Sequence, residues 1–415
     1  MVKKYEDLIY SYIKENHYKI LREPEGQLKH KFIVPGAVYA KTLWDWDSWL
    51  TDVAITQVAA KEGTLKDFFQ YQKGCIQNFA EHIDSETGKM YIMLSDSESL
   101  PERKNHDKIT NCAKPVIIQH ALFIAMVHND YEWLYPLFDA FEKHLAYYEN
   151  HCKHESGLYY FINDLAIGVD NDPCTFYRPS KSSASIFPNC LMYKELLAMA
   201  EVSEKLNYND KSDIYLSKAN SLKIAVNEHC YDERNGFYYS ADINLLPIDP
   251  NEWLHSGFPR NWSTLIQRID VWSGFMAMWS GIANKKQAER MVTENYLNTK
   301  TFNAPFGVRT LSKCEKMYQI VESGNPSCWL GPIWGISNYM TFKGLINYGY
   351  EDLALELANK NINLFGMDIE KCGEMHEYYD PETGRGVSNQ GFQSWNLLCA
   401  NIISWKNKEK VISEF

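Results

Sequence analysis

Apolar residues recur at helical spacing over most of the chain, and the helical stretches fall into consecutive pairs. After an N-terminal helix over about 5–16, the pattern predicts helices at 47–60 with 64–82, 116–128 with 131–150, and 184–207 with 210–229. Two more pairs follow at 270–283 with 285–297 and at 332–347 with 351–365; a last helix at 391–405 has a partner only if the N-terminal helix returns beside it. The two members of a pair differ in character. Val271-Trp272-Ser273-Gly274-Phe275-Met276-Ala277-Met278-Trp279 is apolar nearly all round, as a helix covered on every side must be, whereas Lys285-Lys286-Gln287-Ala288-Glu289-Arg290 reads as a solvent-facing partner. A turn with Gly followed by aromatics recurs after the outer helices, at Ser85–Tyr91, Glu155–Tyr160 and Glu233–Tyr239, as short hairpins copied with the pair would. Six such pairs closing on themselves give an all-α double ring with short β-hairpins in its loops. No Gly/Ser-rich linker divides the chain, so residues 1–415 are expected to form one domain.

Residues of unusual type gather just before or at the start of the inner helices. They lie in Trp44–Trp49, Lys114–Gln119, Arg178–Ser185, Gln267–Trp272, Cys328–Trp334 and Asn389–Trp395. In a closed ring these loops converge at one end and build one site. Leu43-Trp44-Asp45-Trp46-Asp47-Ser48-Trp49 is the densest of them. Its indoles suit the C–H faces of sugar rings, and its carboxylates suit sugar hydroxyls. A core role for the tryptophans with one aspartate as helix cap is the plainer alternative. One cap does not call for three tryptophans, so sugar binding is preferred.

Composition narrows the partners. The formal net charge of −11, without a run of Lys or Arg, argues against nucleic acid or an anionic membrane surface. The longest apolar run, Val116–Val127, is broken by Gln119 and His120 and too short to span a bilayer, and the N-terminal residues lack a signal-peptide pattern. The ten cysteines are scattered without a C-x-x-C or a ligand-like cluster, which fits free thiols and a cytoplasmic location, with no metal and no cofactor.

Two acidic stretches stand out, Ile167-Gly168-Val169-Asp170-Asn171-Asp172-Pro173 and Glu374-Met375-His376-Glu377-Tyr378-Tyr379-Asp380-Pro381-Glu382-Thr383-Gly384. Cleaving a glycosidic bond takes one carboxylic acid to protonate the leaving oxygen and a second carboxylate opposite it. Each stretch also reads as an ordinary turn; their occurrence beside the tryptophan-rich stretch favours chemistry.

In order along the chain, Trp44-Asp45-Trp46-Asp47-Ser48, Gly168-Val169-Asp170-Asn171, Gly331-Pro332-Ile333-Trp334 and Glu377-Tyr378-Tyr379-Asp380-Pro381-Glu382-Thr383-Gly384 resemble glycoside hydrolase family 63 and its trehalase relatives. The resemblance spans about residues 35–405, and the compact length is most similar to the mannosylglycerate and glucosylglycerate hydrolases. It implies an (α/α)6 toroid and an inverting α-glycosidase acting on a small α-glycoside, with glucose or mannose released. Asp170 matches the general acid and Glu377 the general base, their carboxyls then standing roughly 6.5–9.5 Å apart. Trp44, Trp46, Asp47 and Gln119 match sugar-binding positions, Trp334 and Trp395 would wall the site, and Trp329 and His376 join the expected binding set. Arg178 either meets a substrate carboxylate or forms a local salt bridge. Leu330 stands where the family carries Arg, which removes a fixed positive charge from the neighbouring subsite. A sugar epimerase using paired histidines and a non-catalytic sugar-binding protein are the alternatives, and homo-oligomers are compatible with everything read so far. The segments Ser95–Asn111 and Ile243–Pro259 are candidate lids over the mouth.

Overall fold

The computed structural model describes residues 2–95, 97, 111–165, 167–176, 178–245, 262–321 and 327–415. Nearly all of both candidate lids lies outside the described residues.

Twelve α-helices among the described residues form two concentric layers. The inner layer contains α2 (Asp45–Glu62), α4 (Ile117–His128), α6 (Ile186–Lys205), the short α8 (Met276–Trp279), α10 (Gly335–Asn347) and α12 (Cys399–Lys406). Each of these packs on the next around the circle, either directly or through the 3-10 turns that precede α8 and α12. The circle closes where α2 meets the turn Ser394–Leu398 and α12. Outside them lie α3 (Leu65–Glu81), α5 (Phe138–His151), α7 (Asn209–Cys230), α9 (Lys285–Arg290) and α11 (Glu351–Cys372). The sixth outer position is taken by α1 (Val2–Asn16), which packs on α11 and α12. Tyr5 donates to Glu370 at 2.9 Å and Glu6 pairs with Lys406, so the first helix is fastened to the last pair. This is the (α/α)6 toroid that the pairing of helical patterns predicts.

The inner helices are buried on every side. In α2 every residue from Asp45 to Ala59 is buried, which is why its sequence lacks the one-sided stripe of a surface helix. The fourth inner helix is shorter than its pattern predicts. Its first turn, Trp272–Phe275, is a 3-10 turn, and Gly281 at φ +78° ends the segment soon after α8. A Cβ on Gly274 would come within 2.4 Å of the Phe237 ring, so tight packing of hairpin on helix sets the local winding. Its outer partner also ends early as α-helix, passing from α9 into a π-helical turn at Met291–Tyr296.

Short strands sit at the loop ends. β1 (Thr42–Trp44) pairs antiparallel with β2 (Met93–Ser95), leading straight into α2. β3 (Ile333–Trp334) pairs with β4 (Tyr378–Tyr379), which pairs in turn with β5 (Gly386–Ser388). This small sheet delivers Trp334 and Glu377 to the same end of the ring. The recurrent Gly turns are present at Gly88, Gly157 and Gly236, all at positive φ; Gly236 joins a two-residue hairpin, Tyr231–Asp232 with Phe237–Tyr238. No helix among the described residues is long and apolar enough to cross a membrane. All ten cysteines are free thiols.

Candidate active site

The two aspartates at the start of α2 part company. Asp45 is fully buried and structural: it accepts from the Trp46 N–H at 2.6 Å, the Lys114 N–H at 2.7 Å and the Lys114 ammonium at 2.8 Å. Lys114, itself fully buried, also stands 4.9 Å from the centre of the Trp46 ring, so one desolvated ion pair fixes the indole's platform. Asp47, two residues on, faces a pocket instead.

That pocket is an open cleft, enclosing about 400 Å3 of empty space that includes bulk solvent at its mouth. Three carboxylates line it, Asp47, Asp170 and Glu377, together with Trp44, Trp46, Trp334 and Trp395. Pro35, Tyr39, Gly168, Ser327 and Phe392 complete the lining. Residues from distant parts of the sequence thus meet at the end of the ring where the inner helices begin.

Asp170 sits on a loop whose shape is fixed from both sides. Gly168 takes φ +84°, and a Cβ there would come within 2.6 Å of the Trp46 ring, so the loop lies directly on the indole. Asn171, at φ +55°, receives the Trp329 N–H at 2.9 Å and donates to the Ser327 carbonyl, tying the loop to the segment before β3. Asp172 is buried and turned inward, where its carboxylate accepts the Cys174 N–H at 2.8 Å and burial pushes its pKa up to about 6.

Glu377 is held by Asn389, whose amide donates at 2.9 Å, and by the Tyr39 hydroxyl at 3.4 Å. Burial pushes its carboxyl up to about 8, and the negative charges of Asp47 and Asp170 add to the shift while the two hydrogen bonds oppose it. Asp47 is driven to about 7, again mainly by burial, against the Ser394 hydroxyl that donates to it at 2.8 Å and the field of Lys114.

The aromatic wall is layered. Trp46 meets Trp395 edge-on at 4.8 Å, and Trp44 at the rim meets Tyr39 edge-on at 5.9 Å. Behind the pocket surface, Trp334 stacks on Tyr378 at 5.0 Å and on Trp329 at 4.0 Å, and Trp329 continues to Trp272 at 5.9 Å.

Four of the residues expected at the site lie elsewhere. Gln119 is fully buried at the start of α4, where its amide donates to the Pro115 and Leu191 carbonyls and its N–H to Glu195. Arg178 forms the local salt bridge, 2.6 Å from Asp242. Trp329 is the second ring of the stack and backs Trp334 rather than lining the pocket. His376 turns to Asp368, 2.9 Å away. Conversely, Tyr39, Ser394 and Asn389 hold site carboxylates without having been assigned that role. Ser394 and Asn389 fall in a stretch already singled out by composition; Tyr39 carries no signal beyond its place just before Trp44.

Comparison with known proteins follows the same geometry. The model of the mannosylglycerate hydrolase MGH1-like glycoside hydrolase domain matches residues 40–395. A mannosylglycerate hydrolase of Thermus thermophilus is 21% identical over 418 residues, covering 89% of this chain and 95% of that one. Among solved structures, a family 63 mannosylglycerate hydrolase from a second strain of Thermus thermophilus, in complex with glucose, superposes with a TM-score of 0.65 at 18% identity, covering 96% of this chain and 98% of that one. Neutral trehalase Nth1 of Saccharomyces cerevisiae gives a TM-score of 0.63 at 14% identity over 95% of this chain and 79% of that one. Against several other curated relatives the chain spans between 24% and 66% of their length.

Proposed function

The chain belongs to the mannosylglycerate hydrolase MGH1-like glycoside hydrolases, glycosidases of the family 63 type, and from that premise we propose that it hydrolyses a small α-glycoside with inversion at the anomeric carbon. The observation that carries this reading is the meeting of Asp170 and Glu377 in one pocket walled by Trp44, Trp46, Trp334 and Trp395. In this mechanism Asp170 gives its proton to the glycosidic oxygen as the C1–O bond breaks. Glu377 takes a proton from water as that water attacks C1 from the opposite face. Burial makes Glu377 a stronger base than an ordinary carboxylate, and the donors Asn389 and Tyr39 aim it and support its charged form. Asp47 accepts from sugar hydroxyls, and the indoles cover the ring faces and exclude water. The substrate class is a glucoside or mannoside with a small aglycone, glucosylglycerate-like or mannosylglycerate-like, or an α-linked disaccharide.

The test is hydrolysis of a panel of such α-glycosides followed by proton NMR. Early release of the β-anomer is the expected result, and early α-anomer would overturn inversion. Asp170→Asn and Glu377→Gln should each lower turnover by about 10²–10⁴-fold with the circular dichroism of the fold unchanged. Full activity in both variants would remove these residues from the mechanism.

A further inference from the structure

Outside the pocket, the end of α11 brings together three side chains of metal-binding type. Asp368 and Cys372 stand one helical turn apart, and Gly373 at φ +75° ends the helix. The chain then doubles back, carrying His376 over the same face. A carboxylate oxygen of Asp368, Sγ of Cys372 and a ring nitrogen of His376 all lie within 4.8 Å of one another. Asp368 is buried and oriented from behind, since its Oδ2 accepts the Tyr379 hydroxyl and the His376 N–H, each at 2.9 Å. His376 Nδ1 lies 2.9 Å from Asp368 Oδ2 and 3.0 Å from Oδ1. The ring fits because residue 386 is glycine: a Cβ there would stand 2.3 Å from it.

An ordinary Asp–His ion pair closing a helix end needs no thiol. Here the thiol lies against the pair and faces solvent. An O, N, S donor set with an aqueous side selects a borderline-soft divalent cation over calcium or magnesium, which take oxygen alone. Carboxylate oxygens already fixed by neighbouring donors are the arrangement that orients a metal ligand.

We propose that Asp368, Cys372 and His376 form a binding site for a zinc-class divalent cation, with water in the fourth position. Binding displaces the thiol proton of Cys372, since the thiolate is the ligand, and takes the lone pair of a His376 ring nitrogen. The cation then clamps the end of α11 to the segment that enters β4, whose first neighbour is Glu377. The site stands independently of the glycosidase reading. Its ligands are spaced four residues apart, Asp-x3-Cys-x3-His, and the third meets the first two because the chain reverses after Gly373.

The test uses the full chain, stripped with chelator and desalted under reducing conditions, and titrated with cobalt(II). Saturation at one equivalent with a thiolate-to-cobalt charge-transfer band is expected, reversed by zinc, which also raises Tm. Cys372→Ser should abolish the band, His376→Ala should weaken binding by at least about tenfold, and Cys314→Ser, which removes the other exposed thiol, should change neither. Circular dichroism of each metal-free variant checks the fold. No charge-transfer band, the same band in Cys372→Ser, or weak binding at several equivalents unmoved by either substitution would overturn the site.

Discussion

Asp45 and Asp47 are two residues apart on one helix, yet one is committed to Lys114 and the other opens on the pocket. Burial raises the Asp47 carboxyl to about 7, so the native state holds that proton more tightly than the unfolded chain does. Its contribution to stability is therefore present below the ordinary aspartate value near 4 and is lost as pH rises through about 7. Asp47→Asn removes this pH-dependent loss. At pH 8 it should stabilise the fold by about 1–3 kcal/mol, with no gain at pH 4, while sugar binding weakens; thermal melts at the two pH values read the difference. Asp170 and Glu377 drew attention in the sequence because acids in turn-like stretches are conspicuous, and Asp47 because it sits among three tryptophans. Gln119, Arg178, Trp329 and His376 were not separable from them, since sequence gives the neighbourhood of a side chain but not its direction. Glu195 claims the helix start that carries Gln119, Asp242 claims Arg178, and Asp368 claims His376.

Among the elements, three of the turns that follow outer helices share one construction. Asp84, Asp232 and Asp380 each accept, through the backbone carbonyl, the N–H of a glycine four residues on, at 2.8–2.9 Å. The side chain of each also accepts one or two N–H groups inside the turn. Two of the three Gly phrases in the sequence, at Gly88 and Gly236, were thus the imprint of this Asp-x3-Gly turn, whereas Gly157 donates to the His154 carbonyl three residues back. The same construction assigns Asp380 to structure, near Glu377 in sequence but with a different task. The loop that carries Asp170 has no such self-sufficiency. Gly168 gives it both the positive φ and the contact with Trp46, so Gly168→Ala should displace Asp170 and the indole together. More than about tenfold loss of kcat/KM is expected, with far-ultraviolet circular dichroism unchanged. Unchanged kinetics would show that the loop tolerates the shift. The broken fourth inner helix was the element least readable from periodicity, because its winding is set by Phe237 pressing on Gly274 from another hairpin.

For the molecule as a whole, the ring was legible from the alternation of apolar and charged helices, and the return of α1 to the last pair was the one closure the pattern left conditional. The base of the ring is held by a buried polar group. Glu414 accepts from the Trp279 indole at 2.9 Å and from the Tyr339 hydroxyl, with the Lys343 ammonium 3.7 Å away. Burial opposes its ionisation, yet Lys343 and the two donors outweigh it and hold the carboxyl below its ordinary value. Its stabilisation is therefore present above the unfolded value near 4.5 and lost as pH falls through the lower, folded one. Glu414→Gln should cost about 1–3 kcal/mol at pH 7, read from the denaturant midpoint, and less at pH 3. At the other end, the column of Tyr378, Trp334, Trp329 and Trp272 makes the protein its own optical probe. Indoles 4.0 Å apart and 15° from parallel are close enough for their strong far-ultraviolet transitions to couple, so a couplet, a paired circular-dichroism band of opposite signs, is expected there that an unfolded chain lacks. Because Trp334 belongs both to that column and to the pocket wall, a sugar settling against it should shift the couplet, so occupancy can be followed without a label or a turnover assay.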